Sequence, residues 1–228
     1  RHYAAAGYGE DPKVNLVGHS MGGLVIAGYL ERTGKKHRVH KVATLATPFQ
    51  GSFEAVIKVT TGTANLGEKA PSSREREAAR ITPALYQLLP SFSNGLILDP
   101  RLPQTSLFDP ALWQPSIIDT LKEYIRLHGL ARTGRDQQAR QLFEGLLTAA
   151  RRHRTRIDRL DLAACGLDPS SWLCVVGVNA ETRIQLKIDM VGRSPDFTFS
   201  SADRDNRWSD PDPAIARRTG DGTVPFEG

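Results

Sequence analysis

Apolar positions along this chain change their period several times, and each change marks an element. Residues 1–12 read as the end of a helix and a turn, after which Asp11-Pro12 introduces a β-prone run, Lys13–Val17. Gly18-His19-Ser20-Met21-Gly22-Gly23 follows. Leu24–Glu31 then carries the apolar residues of a mostly buried helix that ends near Gly34. Lys35–Arg38 lie just past that end, where cations suit the helix dipole. His40–Ala46 contains a second run, Val42–Ala46, which stops at Thr47-Pro48. Strand, helix and strand within about 35 residues form a βαβ unit, and the spacing predicts parallel strands. Their unbroken apolar character predicts strands covered on both faces.

From Gly51 to Asp168 the pattern becomes helical. Apolar residues recur at helical spacing in Ile81–Leu89, Ile117–Leu127 and Ala139–Ala150. Connectors with Pro, Ser and Gly separate them, including Pro71-Ser72-Ser73 and Leu89–Gly95. This insertion is too long for an ordinary crossover. The strand pattern returns at Trp172–Gly177 and again at Arg183–Val191. Residues 192–219 read as surface loop, with the mixed charges of Asp203–Arg207 on a solvated face. Three segments result, at 1–50, 51–168 and 169–228.

Composition narrows the class. With 228 residues and 39% of them apolar, the chain has ample material for a buried core and is not a mainly disordered one. Its formal charge of +5 is modest, but residues 122–160 alone hold ten Lys or Arg against four Asp or Glu. Five of those arginines fall within Arg151–Arg159. They read as the solvated face of a helix, or as a contact for an anionic headgroup or membrane surface. No interleaved aromatics or reader motif accompany them, so no nucleic acid is expected. Cys165 and Cys174 cannot make a disulfide framework; they allow one local bridge, and two reduced thiols are the expectation. No apolar stretch is long enough to span a membrane. With no visible leader, a cytoplasmic protein is the expectation.

Gly18-His19-Ser20-Met21-Gly22 is a G-x-S-x-G pentapeptide with a β-run before it and an apolar helix after it. A sharp strand-to-helix turn would crowd larger side chains, which accounts for both glycines and lifts the Ser20 hydroxyl above the strand ends. Ser20 is the candidate nucleophile, and the backbone N–H of Met21 is the candidate oxyanion donor. The Met21 side chain is expected in the core or a pocket wall. His19 leaves the turn in another direction and is expected to pack or support. A serine hydroxyl needs a histidine base held by a carboxylate, in the order Ser, acid, His. Asp221, in Thr219-Gly220-Asp221-Gly222-Thr223, is the candidate acid. No histidine follows it, and His2, His19, His37, His40, His128 and His153 all precede it. The base is therefore expected beyond Gly228.

On these residues the sequence resembles an α/β-hydrolase lipase, of the lecithin:cholesterol acyltransferase-like group of phospholipases and acyltransferases. The resemblance rests on Asn15–Gly23, Leu45–Ser52, Ala84–Ser91 and Gly220–Pro225, which occur in the family's order across nearly the whole chain. It implies an α/β fold. The parallel-sheet core with its nucleophile elbow occupies 1–50, a mostly helical cap or lid 51–168, and the core continues to the acid loop in 169–228. It also implies nucleophile Ser20, acid Asp221 and an acyl-serine intermediate on lipid esters, with water or an alcohol taking the acyl group. No cofactor or metal is implied.

Two departures accompany the resemblance. The family's histidine lies downstream of the acid loop, and its second oxyanion donor comes from a loop well before the elbow. Both fall outside this sequence, so the chain reads as an excerpt with both ends cut, inactive by itself. Two other readings use the same residues: a non-lipid esterase or amidase of this fold, and an inactive pseudo-hydrolase that serves as a binding module.

Overall fold

The computed structural model describes residues 2–9, 11–63, 72–103, 105–129, 131–202 and 212–228. Asp203–Arg207 and Pro71 lie outside the described residues. In chain order the elements begin with α1 (His2–Ala5), β1 (Val14–His19), α2 (Met21–Thr33) and β2 (Val39–Leu45). Next come α3 (Phe53–Thr61), α4 (Ser73–Arg80), α5 (Pro83–Tyr86), β3 (Leu96–Leu98), α6 (Ser116–Leu127) and α7 (Arg135–Asp158). Then follow α8 (Leu162–Cys165), β4 (Trp172–Val175), β5 (Gln185–Val191), β6 (Ser194–Ser200) and α9 (Pro213–Ala216). The architecture is mixed α/β with two three-stranded sheets. Two compact units form, one from residues 1–49 and 155–177 and the other from 50–154 and 178–228. Among the described residues no helix is long and apolar enough to cross a membrane.

In the first unit the strands run in the order β1-β2-β4, all parallel, and β1, α2 and β2 form the expected βαβ unit. Leu16, Val42 and Trp172 stand in register on one face. Against them pack Ile26 and Leu30 of α2, together with Cys165 and Leu167. The helix ends as its sequence predicts: Gly34 takes a left-handed φ of 52° and returns its N–H to Leu30 O. His37 fastens the start of β2, its Nδ1 accepting from Val39 N at 3.0 Å while Nε2 contacts Cys165 O at 2.9 Å. The expectation of two covered faces fails. On the opposite face Val17 is 69% exposed and Leu173 61%, because α2 and the α8 region layer only the first face.

The second unit has its own sheet, in the order β3-β5-β6. Leu186 and Ile188 of β5 enter a core built from Phe53, Tyr86, Trp113, Leu121 and Phe143. The surface loop expected over 192–219 is corrected here: β6 pairs antiparallel with β5, and the hairpin turns at Gly192 with φ 63°. The helix expected over Ile81–Leu89 shrinks to the single turn α5. Beyond it Leu88 O accepts from Ser52 N at 2.9 Å and Ser91 N donates to Gln50 O at 2.9 Å, so the backbone leaves the helix to pair with another segment. Gly51 makes this approach feasible, since a Cβ there would lie 2.5 Å from Leu89 O. Along α7 the buried residues Ala139, Phe143, Leu147, Ala150 and Arg154 recur at helical spacing, longer than the expected run.

Asp99 joins the end of β3 to β5. Its carboxylate accepts from Met190 N at 3.0 Å and Arg101 N at 2.9 Å, and from the Arg101 guanidinium. These bonds, the Arg101 side chain foremost, hold its pKa well below the usual carboxylate range. A depressed carboxyl pKa stabilises the fold above the unfolded value, near about 4, and that stabilisation is lost as the pH falls below it. Asp99→Asn is therefore expected to lower stability at pH 7, and the gap to the parent should narrow at pH 3. Urea denaturation at the two pH values measures it.

Candidate active site

β1 ends at His19, and α2 begins two residues later at Met21. Ser20 makes the turn alone, at φ 53° and ψ −127°. Its N–H donates to Leu45 O at 2.9 Å, and its own carbonyl accepts from Gly23 N at 3.1 Å. The side chain makes no capping bond to the helix. Such backbone angles strain any residue with a Cβ, typically by about 1–3 kcal/mol, and they concentrate at functional sites. Ala46, at the end of β2, shares the strain at φ 47° and donates its N–H to Val175 O at 2.8 Å. Met21 N–H is one of the helix's first amides, which have no intrahelical acceptor.

Three expectations about this turn need correction. Gly18 is crowded, since a Cβ there would lie 2.7 Å from both Gly22 C and Gly23 N. Gly22 is not crowded, because a Cβ there meets nothing within 4 Å; the second tight position is Gly23, 2.1 Å from Thr47 Oγ1. His19 is exposed rather than packed, because it shares the open face of the sheet with Val17. The Met21 side chain, expected in the core or a pocket wall, is 41% exposed and so is not in the core.

Asp221 belongs to the second unit, while Ser20 and Met21 belong to the first. Asp221 Oδ1 accepts from Thr223 N at 2.8 Å and Val224 N at 2.6 Å. Its Oδ2 has no hydrogen bond among the described residues. Gly222 turns the chain at φ 96°, and its N–H donates to Thr182 Oγ1 at 2.8 Å. Buried Thr219 donates its hydroxyl to Thr182 O at 2.7 Å. Gly220 is tight, with a Cβ position 2.3 Å from Val224 O. The loop is thus held by hydroxyls that local sequence did not single out.

Ser52 is a further such residue. Its hydroxyl donates to Thr223 O and accepts from Glu54 N at 3.2 Å, so it caps α3 and grips the acid loop together. Glu54 adds an ion pair to Arg183 at 2.6 Å, beside Thr182. A serine two residues ahead of an acidic helix start is a legible cap, but its bond to Thr223 is not. Of the arginine-rich stretch, Arg151 donates to Ser106 Oγ at 2.9 Å and lies over the Phe108 ring. Arg154 is buried and donates to Gln87 O at 3.0 Å. Arg152, Arg156 and Arg159 are exposed.

A strained serine thus stands at a strand-to-helix turn within a mixed α/β frame. A family model for lecithin:cholesterol acyltransferase matches residues 5–119, half of the chain, and the chain belongs to that family. The acid loop lies outside the matched span. Among solved structures, a chain of the crystal structure of the Tle4-Tli4 complex is similar over 99% of this chain, with a TM-score of 0.64 and 19% identity. That likeness is one of fold, and this chain spans 53% of that chain's length. No curated protein matches.

The crowding at the turn generates a paired test. Gly23→Ala is expected to destabilise the protein by about 1–3 kcal/mol, as overpacking does. Gly22→Ala should be neutral or stabilise by up to about 1 kcal/mol through helix propensity. Denaturant unfolding of the two variants separates them.

Proposed function

We propose that this chain carries the nucleophile and the acid of a serine esterase or acyltransferase acting on lipid esters. In this reading Ser20 Oγ attacks the ester carbonyl while a histidine from outside the 228 residues takes its proton. Asp221 orients that histidine through Oδ2, and the Met21 N–H receives the developing oxyanion. The histidine then protonates the departing alcohol, leaving an acyl-serine. Water or a second alcohol, deprotonated by the same histidine, attacks that intermediate and frees Ser20. The reaction runs on protein groups alone.

The observation that carries the reading is the Ser20 backbone, held at φ 53° with its hydroxyl uncommitted to the helix. Asp221 supports it: two loop amides fix Oδ1 and leave the other oxygen open. Membership of the lecithin:cholesterol acyltransferase family favours lipid esters. The finer architecture belongs to the same proposal, with an α/β-hydrolase core in 1–50 and 169–228 and a cap in 51–168. Arg152, Arg156 and Arg159, exposed at helical spacing, provide a peripheral contact for an anionic membrane surface.

The test is fluorophosphonate labelling of the full-length protein, followed by turnover of esters of graded acyl length. Ser20→Ala is expected to abolish labelling and to lower turnover by about 10⁴-fold or more, and Asp221→Asn by about 10³–10⁴-fold. Labelling that persists in Ser20→Ala would remove the nucleophile assignment. An unlabelled full-length protein would favour the inactive binding module. Replacing Arg152, Arg156 and Arg159 by Glu should weaken sedimentation with phosphatidylserine vesicles and leave turnover of a water-soluble ester unchanged.

A further inference from the structure

Helices α4 and α6 flank a groove of about 540 Å³ in the second unit. Its apolar walls are Ala78 and Ile81 on one side and Tyr124 and Leu127 on the other. Ile81 and Leu127 open onto solvent, at 37% and 65% exposure. An apolar groove on a small helical layer is unremarkable by itself, but two arginines also line this one.

Arg80 is 3% exposed, yet every partner of its guanidinium is neutral. It donates to Val59 O at 3.0 Å, Ser116 O at 2.9 Å, Thr120 Oγ1 at 2.8 Å and Ser116 Oγ at 3.0 Å. Arg76 stands one helical turn earlier on the same side of α4, and its buried Nε has no acceptor among the described residues. Burial lowers the Arg80 pKa and the Arg76 charge pushes it the same way, while Tyr86, Glu77 and Asp119 pull it back only in part. Neither arginine has an ion-pair partner among the described residues. Two of the groove's acids are already engaged: Asp119 holds Lys122 at 3.1 Å and Glu123 holds Arg126 at 2.6 Å. Glu77 is left, with an exposed side chain.

Buried charge without a neutralising partner is expensive, and an unmet buried donor adds to the cost. A single anion in the groove beside the two guanidiniums would offset their charge. A carboxylate suits them, because one of its oxygens can meet the Arg76 guanidinium while the other takes the single Arg80 N–H left unassigned. The walls beyond the arginines are apolar and open outward, which suits an aliphatic chain rather than a compact anion.

We propose that the groove between α4 and α6 binds an amphiphilic carboxylate of the fatty-acid type, its head at Arg76 and Arg80 and its chain along Ile81 and Leu127. The site shares no residue with Ser20, Met21 or Asp221, so the proposal stands apart from the esterase reading.

Calorimetric titration of the full-length protein with octanoate, below its micelle concentration, tests it. Octanol, octyltrimethylammonium and inorganic phosphate serve as comparisons. Octanoate is expected to bind at least tenfold more tightly than all three. Arg76→Gln should weaken octanoate at least tenfold, the scale of a lost charge-assisted bond, and Leu127→Asn should weaken it severalfold. Loss of octanoate binding in Arg76→Gln with fluorophosphonate labelling of Ser20 retained distinguishes this groove from an acyl pocket at the serine. Arg80 is left intact because its bonds tie α4 to α3 and α6, and thermal melts verify that each variant folds. The proposal fails if octanoate does not bind or octanol binds equally well. It also fails if phosphate binds equally well, or if folded Arg76→Gln retains the parent affinity.

Discussion

Everything about the Ser20 turn depends on how closely the first turn of α2 approaches the ends of β1 and β2. Gly18 lets the helix backbone come within a distance that any side chain would block. The strand can therefore end at His19 with the helix already under way at Met21, and the single residue between them absorbs the whole change of direction. Gly23 extends the same contact to Thr47, just beyond β2. The strain at Ser20 and at Ala46 is then a result of packing: neighbouring strands end at one level, and each is turned by one residue at positive φ. Thr47 Oγ1, buried with no hydrogen-bond partner among the described residues, belongs to this crowded corner.

The second unit solves a similar problem with hydroxyls instead of absent side chains. Ser52 begins α3 and reaches Thr223, while Thr182 and Thr219 hold the loop on its other side. A carboxylate flanked by glycines would otherwise sample many orientations. Here the neighbouring amides fix one oxygen and the surrounding hydroxyls fix the amides. The start of α3 thereby couples helix capping to the placement of Asp221. A change at Ser52 would alter both together, a coupling that a list of candidate catalytic residues does not convey.

Much of this was legible in the sequence wherever the determinants are local. The βαβ unit, the end of α2 at Gly34, α6 and β4 all follow from short-range periodicity and glycine placement. Ser20 and Asp221 stood out because their flanking glycines announce tight turns. The failures have physical causes. β3 is three residues long, too short for alternation to register. β6 contains Pro195 and Asp196, which weaken a strand signal that Phe197 and Phe199 otherwise carry. The Ile81–Leu89 run has helical periodicity, but its Leu88 carbonyl is taken by Ser52 N, some 35 residues earlier in the chain. Gly22 and Gly23 look alike in sequence, and only the position of Thr47 distinguishes them. Ser52 and Thr223 are separated by 171 positions, beyond any local signal.

The uncovered face of the first sheet bears on how the protein behaves in bulk solution. Val17 on β1 and Leu173 and Val175 on β4 are exposed apolar positions on either side of β2, and among the described residues β1 pairs with β2 alone. Exposed edges of this kind template pairing with other chains. In a solution of these 228 residues, charge placed on that sheet face would oppose such pairing more directly than the net charge does. A lysine in place of Val17 would act on solubility without touching the packed face that supports the serine.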